Sequence, residues 1–260
     1  MNSLQRYTCK ATLIGLCLAA ASGAYAQVNS GSAVFQNITI AGDPAINSDI
    51  IHNRVYNDYP SATLTTVNNY PSLVSFSEQN VVGATGFANR DDWRFSSDGG
   101  ATDHLFQNNE YWSVSFSLTL TGNPISPRKE AGFRLDSNVG GDGLFIVNTD
   151  SHEVVAFGGA LPFYSFAPNL PWPYNSGATI TMGMTYENIG GTNGIVYSAD
   201  GVFSPFLPMS NTEQGVINDS TLGGYFQIQG VVPVPEPSVF ALLGLGIVTL
   251  GGVVSRRRRI

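Results

Sequence analysis

The clearest signal along the chain is a hydrophobic period of two. From Trp112 to Thr121, the apolar residues Val114, Phe116, Leu118 and Leu120 alternate with Ser113, Ser115, Ser117 and Thr119. Successive side chains of a strand point to opposite faces, so this run predicts a strand with one face buried and one wetted. Thr179 to Tyr186 repeats the pattern, setting Ile180, Met182, Met184 and Tyr186 against Thr179, Thr181, Gly183 and Thr185. Shorter runs predict strands at Ala33–Ile40, Leu73–Ser77, Asp92–Phe95 and Ala131–Leu135, then at Gly143–Asn148, Glu153–Phe157, Gly194–Ser198 and Tyr225–Gln229. No stretch holds a helical period over three turns.

Turn residues fall between these runs at hairpin spacing. Thr149-Asp150-Ser151 and Gly190-Gly191-Thr192-Asn193 each join two predicted strands, and Asp200-Gly201 marks a tight turn. The segment from Gly42 to Asn69 is the least patterned and reads as irregular covering structure. Strand after strand with short connections predicts an all-β fold, a single antiparallel sandwich or jelly roll. No internal repeat at a period of roughly 20–50 residues points to a propeller or solenoid. The order in Ala131–Phe157 resembles the concanavalin-type lectin and glucanase jelly roll, at the level of pattern alone.

Both ends of the chain depart from this pattern. At the N-terminus, Arg6 and Lys10 precede an apolar run from Ala11 to Ala21 and a small-x-small site at Ala24-Tyr25-Ala26. That is the layout of a secretory signal peptide over 1–26, with Gln27 as the first mature residue. At the C-terminus, Pro235-Glu236-Pro237 stands before an uncharged stretch from Ser238 to Val254, and Arg256, Arg257, Arg258 and Arg259 follow. The two prolines fix φ and remove backbone donors, which keeps the motif extended and presents Glu236. The uncharged stretch would rise about 25 Å as a helix, at the short limit for a transmembrane helix. The arginines then hold its far end on the cytoplasmic side.

Motif, span and basic tail in this order resemble the PEP-CTERM sorting signal of exopolysaccharide-producing Gram-negative bacteria. The resemblance implies a membrane-embedded exosortase as processing partner and a cut near the Pro-Glu-Pro motif. It also implies a domain first held in the periplasm by an inner-membrane anchor, then released to the cell surface or the extracellular space. Exopolysaccharide and biofilm matrix are the setting it suggests. The chain is thus read as signal peptide, β domain over 27–230, and linker with sorting tail over 231–260.

Charge and cysteine content narrow the chemistry. Six of the 12 basic residues lie in the two terminal segments, whereas all 19 acidic residues lie between Asp43 and Glu236. The intervening chain is therefore near −13, against −7 for the whole. Nucleic acid is excluded as a partner, because its recognition needs a cationic face. Both cysteines, Cys9 and Cys17, fall within the signal segment. Thiol chemistry and disulfides are thereby removed from the exported domain.

Three candidate sites remain. A glycoside-cleaving site needs two carboxylates about 5–9 Å apart. No Asp or Glu pair here has the i, i+2 or i, i+4 spacing that shares a strand face. Asp91 and Asp92 are adjacent and would point to opposite faces. His52, His104 and His152 stand apart, and His104 beside Asp103 reads as an exposed loop histidine. The chain is accordingly expected to be non-catalytic, with a glycan-active enzyme as the third reading.

For metal, Asp136, Asn138 and Asp142 sit in a glycine-rich loop that reads first as a hydrogen-bonded turn and second as a calcium site. Asp98-Gly99-Gly100 with Asp103 is a second such loop. For glycan, Phe163, Tyr164, Phe166, Trp172 and Tyr174 crowd a loop punctuated by four prolines. Sugars stack on such rings, and Tyr164, Trp172 and Tyr174 are the candidate contacts. The competing reading folds the same rings back over the core. Glycan binding is the first expected function, and a structural matrix protein without a specific ligand is the alternative.

Overall fold

The computed structural model describes residues 28–42, 49–82, 88–96, 98–106, 110–125, 128–137, 143–159, 161–167, 173–209, 220–221 and 223–224. These lie in one compact unit, Val28–Val232. The described residues form strands β1 (Asn29–Ala41), β2 (Asp49–Asn57), β3 (Thr63–Asn69), β4 (Leu73–Val81), β5 (Asn89–Ser96), β6 (Leu105–Phe106), β7 (Trp112–Asn123), β8 (Glu130–Ser137) and β9 (Gly143–Asn148). They continue with β10 (Val154–Gly158), β11 (Tyr164–Ser165), β12 (Thr179–Ile189), β13 (Thr192–Ala199), β14 (Val202–Phe203), β15 (Leu207–Pro208), β16 (Ser220–Thr221) and β17 (Gly223–Gly224). No helix occurs among them, and every pairing is antiparallel.

One sheet runs β14-β13-β12-β7-β1-β4-β3, with β15 beside β13. The opposing layer has two parts, β11-β10-β9-β8-β16-β6 and β17-β5-β2. The segment Ser220–Gly224 links them, since β16 pairs with β8 and β6 while β17 pairs with β5. The period-two runs land as expected. In β7, Val114, Phe116, Leu118 and Leu120 are buried and the intervening serines and threonines face outward. The inward residues of both layers meet in one core. Trp112 packs on Phe133 at 6.0 Å and Phe145 on Tyr197 at 4.9 Å between ring centroids. Each fully buried ring of this kind contributes about 1.5–3 kcal/mol.

The hairpins close as their residues dictate. Ile189 pairs with Thr192 around Gly190-Gly191, and Ala199 pairs with Val202 around Asp200-Gly201. Asp200 and Gly201 both take positive φ, at 46° and 80°, the geometry of a two-residue hairpin whose twist matches its strands. One expectation is overturned. Gly42–Asn69 is not irregular covering structure, because it supplies β2 and β3. The strand expected at Tyr225–Gln229 lies outside the described residues.

Candidate functional site

The aromatic loop divides into core rings and one outward ring. Tyr174 is buried, so it is not the glycan contact expected from its neighbours in sequence. Its hydroxyl accepts the Leu120 N–H at 2.8 Å and reaches the carbonyls of Ala178 and Leu120 at 2.9 and 3.1 Å. Burial pushes this phenol up to about 12. Tyr164 is half-buried and lies edge-on to the buried Phe166, with centroids 4.9 Å apart. Phe163, between Pro162 and Tyr164, is 71% exposed. Its backbone is pinned on the N-terminal side, where the Tyr197 hydroxyl donates to the Pro162 carbonyl at 3.0 Å. Trp172 lies outside the described residues.

The loop at Asp98 is a self-contained turn. The Asp98 carboxylate accepts from Ser96 Oγ at 2.7 Å, from the Ala101 and Thr102 N–H groups at 3.0 and 2.8 Å, and from Thr102 Oγ1 at 2.6 Å. These donors hold its carboxyl well below the usual range, led by the Thr102 hydroxyl. Asp103 turns away to Arg94, 2.8 Å distant. His104 is buried rather than exposed, and its backbone N–H donates to the Phe95 carbonyl at 2.7 Å. Asp136 pairs through its backbone with Thr221 in the β8–β16 ladder. Its side chain, together with Asn138 and Asp142, lies outside the described residues. So do the signal site at Ala24, Ala26 and Gln27, and the sorting residues Pro235, Glu236, Pro237, Arg256, Arg257, Arg258 and Arg259.

The densest chemistry among the described residues is a buried charge network built on β5. Because side chains alternate along the strand, Asp91 and Asp92 do face opposite ways, and each meets its own basic partners. On one face, Asp91 receives His52 at 3.1 Å and Arg54 at 3.4 Å from the paired strand β2. Arg54 continues to Glu78 of β4. On the other face, Asp92 stands between Arg90 at 3.3 Å and Arg94 at 3.7 Å. Arg90 also caps the Tyr56 ring, 5.3 Å from its centroid. Sequence reasoning placed the strand but missed the network. The available signal was the run Arg90-Asp91-Asp92-Trp93-Arg94, whose charge density is exceptional in a chain only 12% charged.

From Glu78 the network opens into a small cavity lined by Asn29, Ser30, Gly31, Glu78, Val81, Asn89 and Lys129, with room for about one water molecule. Asn89 donates to Glu78 Oε2 at 3.1 Å. Lys129 Nζ donates to the Pro124 carbonyl at 2.8 Å and faces Asn29 Oδ1 at 3.4 Å. Burial raises the Glu78 carboxyl despite Asn89 and Arg54, and pushes the Lys129 ammonium down to about 8. A volume this small holds no organic substrate. The cluster's charged hydrogen bonds tie β4 to β5 through Glu78 and Asn89, and β1 to the residue before β8 through Asn29 and Lys129.

Among the described residues, no three His, Cys, Asp or Glu side chains gather to hold a metal ion. No curated protein and no solved structure matches the chain. The family match falls on the tail that sequence alone singled out. Residues 233–259 match the family described as the PEP-CTERM protein-sorting motif, so the chain carries that sorting motif over its last residues.

Proposed function

We propose that this chain is an exported, non-catalytic protein of the cell envelope or matrix whose β domain engages a neutral extracellular glycan. The observation that carries it is the sorting motif, which implies export, membrane anchoring through the C-terminus and exosortase processing. In this reading residues 1–26 are the signal peptide, Ser238–Val254 is a temporary transmembrane helix, and release follows cutting at Pro235-Glu236-Pro237. The non-catalytic part draws on the buried carboxylates, which are committed to arginine, histidine and asparagine partners. The glycan part draws on Phe163, an exposed ring on a backbone already fixed by Tyr197. A backbone fixed beforehand lowers the ordering cost when a sugar stacks on the ring it carries.

Two experiments test the two halves. Changing Pro235 and Pro237 together to Ala should leave the protein at its uncut mass in the membrane fraction. An unchanged mature mass would remove the motif from processing. Retention of the released domain on immobilised neutral polysaccharide should fall at least tenfold with Phe163→Ala plus Trp172→Ala, while Tyr174→Phe leaves it intact. Undiminished retention in the double variant would remove the loop as the glycan platform. A structural matrix role without a specific ligand is the second reading, and the exposed, uncharged edge strand β3 favours it.

A further inference from the structure

The last strand of the larger sheet is unlike its other edges. β3 pairs with β4 on one side, from Thr63↔Gln79 to Asn69↔Leu73 without a register shift, and among the described residues ends the sheet on the other. Six of its seven residues are exposed, and Leu64 is half-buried. Its inward positions Thr66 and Asn68 are exposed as well, so β3 overhangs the core with both faces wet. Folded proteins blunt such edges with charges, prolines, bulges or shortness. β3 has none of these: its sequence is Thr-Leu-Thr-Thr-Val-Asn-Asn over seven residues. The remaining ends of the sheets contrast with it. β6, β11, β14 and β15 have two residues each, and β2 carries Asp49 and Arg54.

Charge selects the occupant. Two copies of a domain near −13 repel, yet no charged residue occurs from Tyr59 to Ser77. This is the edge at which a second copy approaches with the least electrostatic cost. It is also self-complementary. Full antiparallel overlap of a seven-residue strand with itself puts Thr66 on the two-fold axis and pairs Thr65 with Val67, Leu64 with Asn68 and Thr63 with Asn69. Thr–Thr and Thr–Val neighbours are favourable cross-strand pairs. We propose that β3 is a homotypic docking edge, joining the larger sheets of two copies of this chain into one continuous sheet through β3–β3 pairing about Thr66. The pairing holds whether or not the domain also binds glycan.

The register makes the test specific. In the full chain in detergent, with Cys9→Ser and Cys17→Ser, Thr66→Cys would bring two thiols onto the axis at a Cα separation of about 4.5–5.5 Å, within disulfide reach. Mild oxidation should give a covalent dimer at least tenfold faster than Thr179→Cys, an exposed control on β12. Equal rates would overturn the proposal. A second pair of variants reads the same register without cysteine. Thr65→Lys with Val67→Lys sets like charges opposite each other and should abolish the dimer in sedimentation. Thr65→Glu with Val67→Lys sets opposite charges opposite each other and should restore it. A dimer that survives the double-lysine variant, or a monomer in every variant and in the parent, would overturn the pairing.

Discussion

Asp92 is fully buried between two arginines, and removing it takes a carboxylate from both while Arg94 keeps Asp103. Breaking a buried pair from one side costs about 3–5 kcal/mol, because the abandoned charge stays desolvated. Asp92→Ala should therefore lower stability by that amount in denaturant unfolding, whereas Asp103→Ala, at the half-buried end of the same chain of pairs, should cost only about 1 kcal/mol. Equal losses would show that the Arg90–Asp92–Arg94 arrangement is not the anchor of β5. Lys129 makes a second prediction, through pH. Its folded pKa, about 8, lies below the ordinary lysine value of 10.5 because burial disfavours the ammonium. A lowered folded value means that the folded state releases its proton first. The stability it contributes is complete above 10.5 and is lost as pH falls through 8. Relative to Lys129→Met, the parent should gain stability between pH 8 and 10.5, and parallel curves would refute the shift.

At the scale of the strand, Gly132 shows why a single glycine in β8 is obligatory. Its φ is +155°, and a Cβ placed there would sit 2.3 Å from the Phe145 carbonyl oxygen of the neighbouring strand β9. Backbone cannot yield as a flexible side chain does, so Gly132→Ala should cost more than about 3 kcal/mol. Gly191→Ala, also at positive φ but with nothing within 4 Å, should cost only the conformational strain, about 1–2 kcal/mol. Matched denaturation midpoints of the two variants decide between steric and conformational causes. The strands also differ in how readable they were. β7 and β12 were legible because one face meets the core and the other meets water, which writes a period of two into the sequence. β3 was not, since both faces are wet and no apolar face exists to alternate. β2 was hidden because His52 and Arg54 occupy inward positions through polar contacts with Asp91 rather than through an apolar alternation. The candidate glycan loop was legible as a crowd of rings. Which ring faces out depends on Tyr174 and Phe166 finding partners from distant strands, and no local pattern records that.

Across the whole molecule, cations and anions are used differently. Arg54, Arg90, Arg94 and Arg128 engage carboxylates, while Lys129 and Arg134 are buried. No basic side chain of the described domain is thus left to dilute the acidic surface. Among the described residues, the carboxylates of Asp58, Asp98 and Glu110 are exposed, while the pairs that hold β2, β4 and β5 together lie largely inside. Salt separates the two populations, because screening acts on exposed charges and much less on buried ones. Self-repulsion among surface carboxylates opposes the compact state, so raising ionic strength from about 10 to 150 mM should raise the melting temperature. Chloride of a monovalent cation is the salt to use, so that no cation bridges two carboxylates. A melting temperature that falls instead would mean that exposed pairs such as Arg128 with Asp150 carry more of the stability than the buried network. A rise that appears only with calcium would assign it to a specific cation site, with Asp136, Asn138 and Asp142 as the first residues to replace.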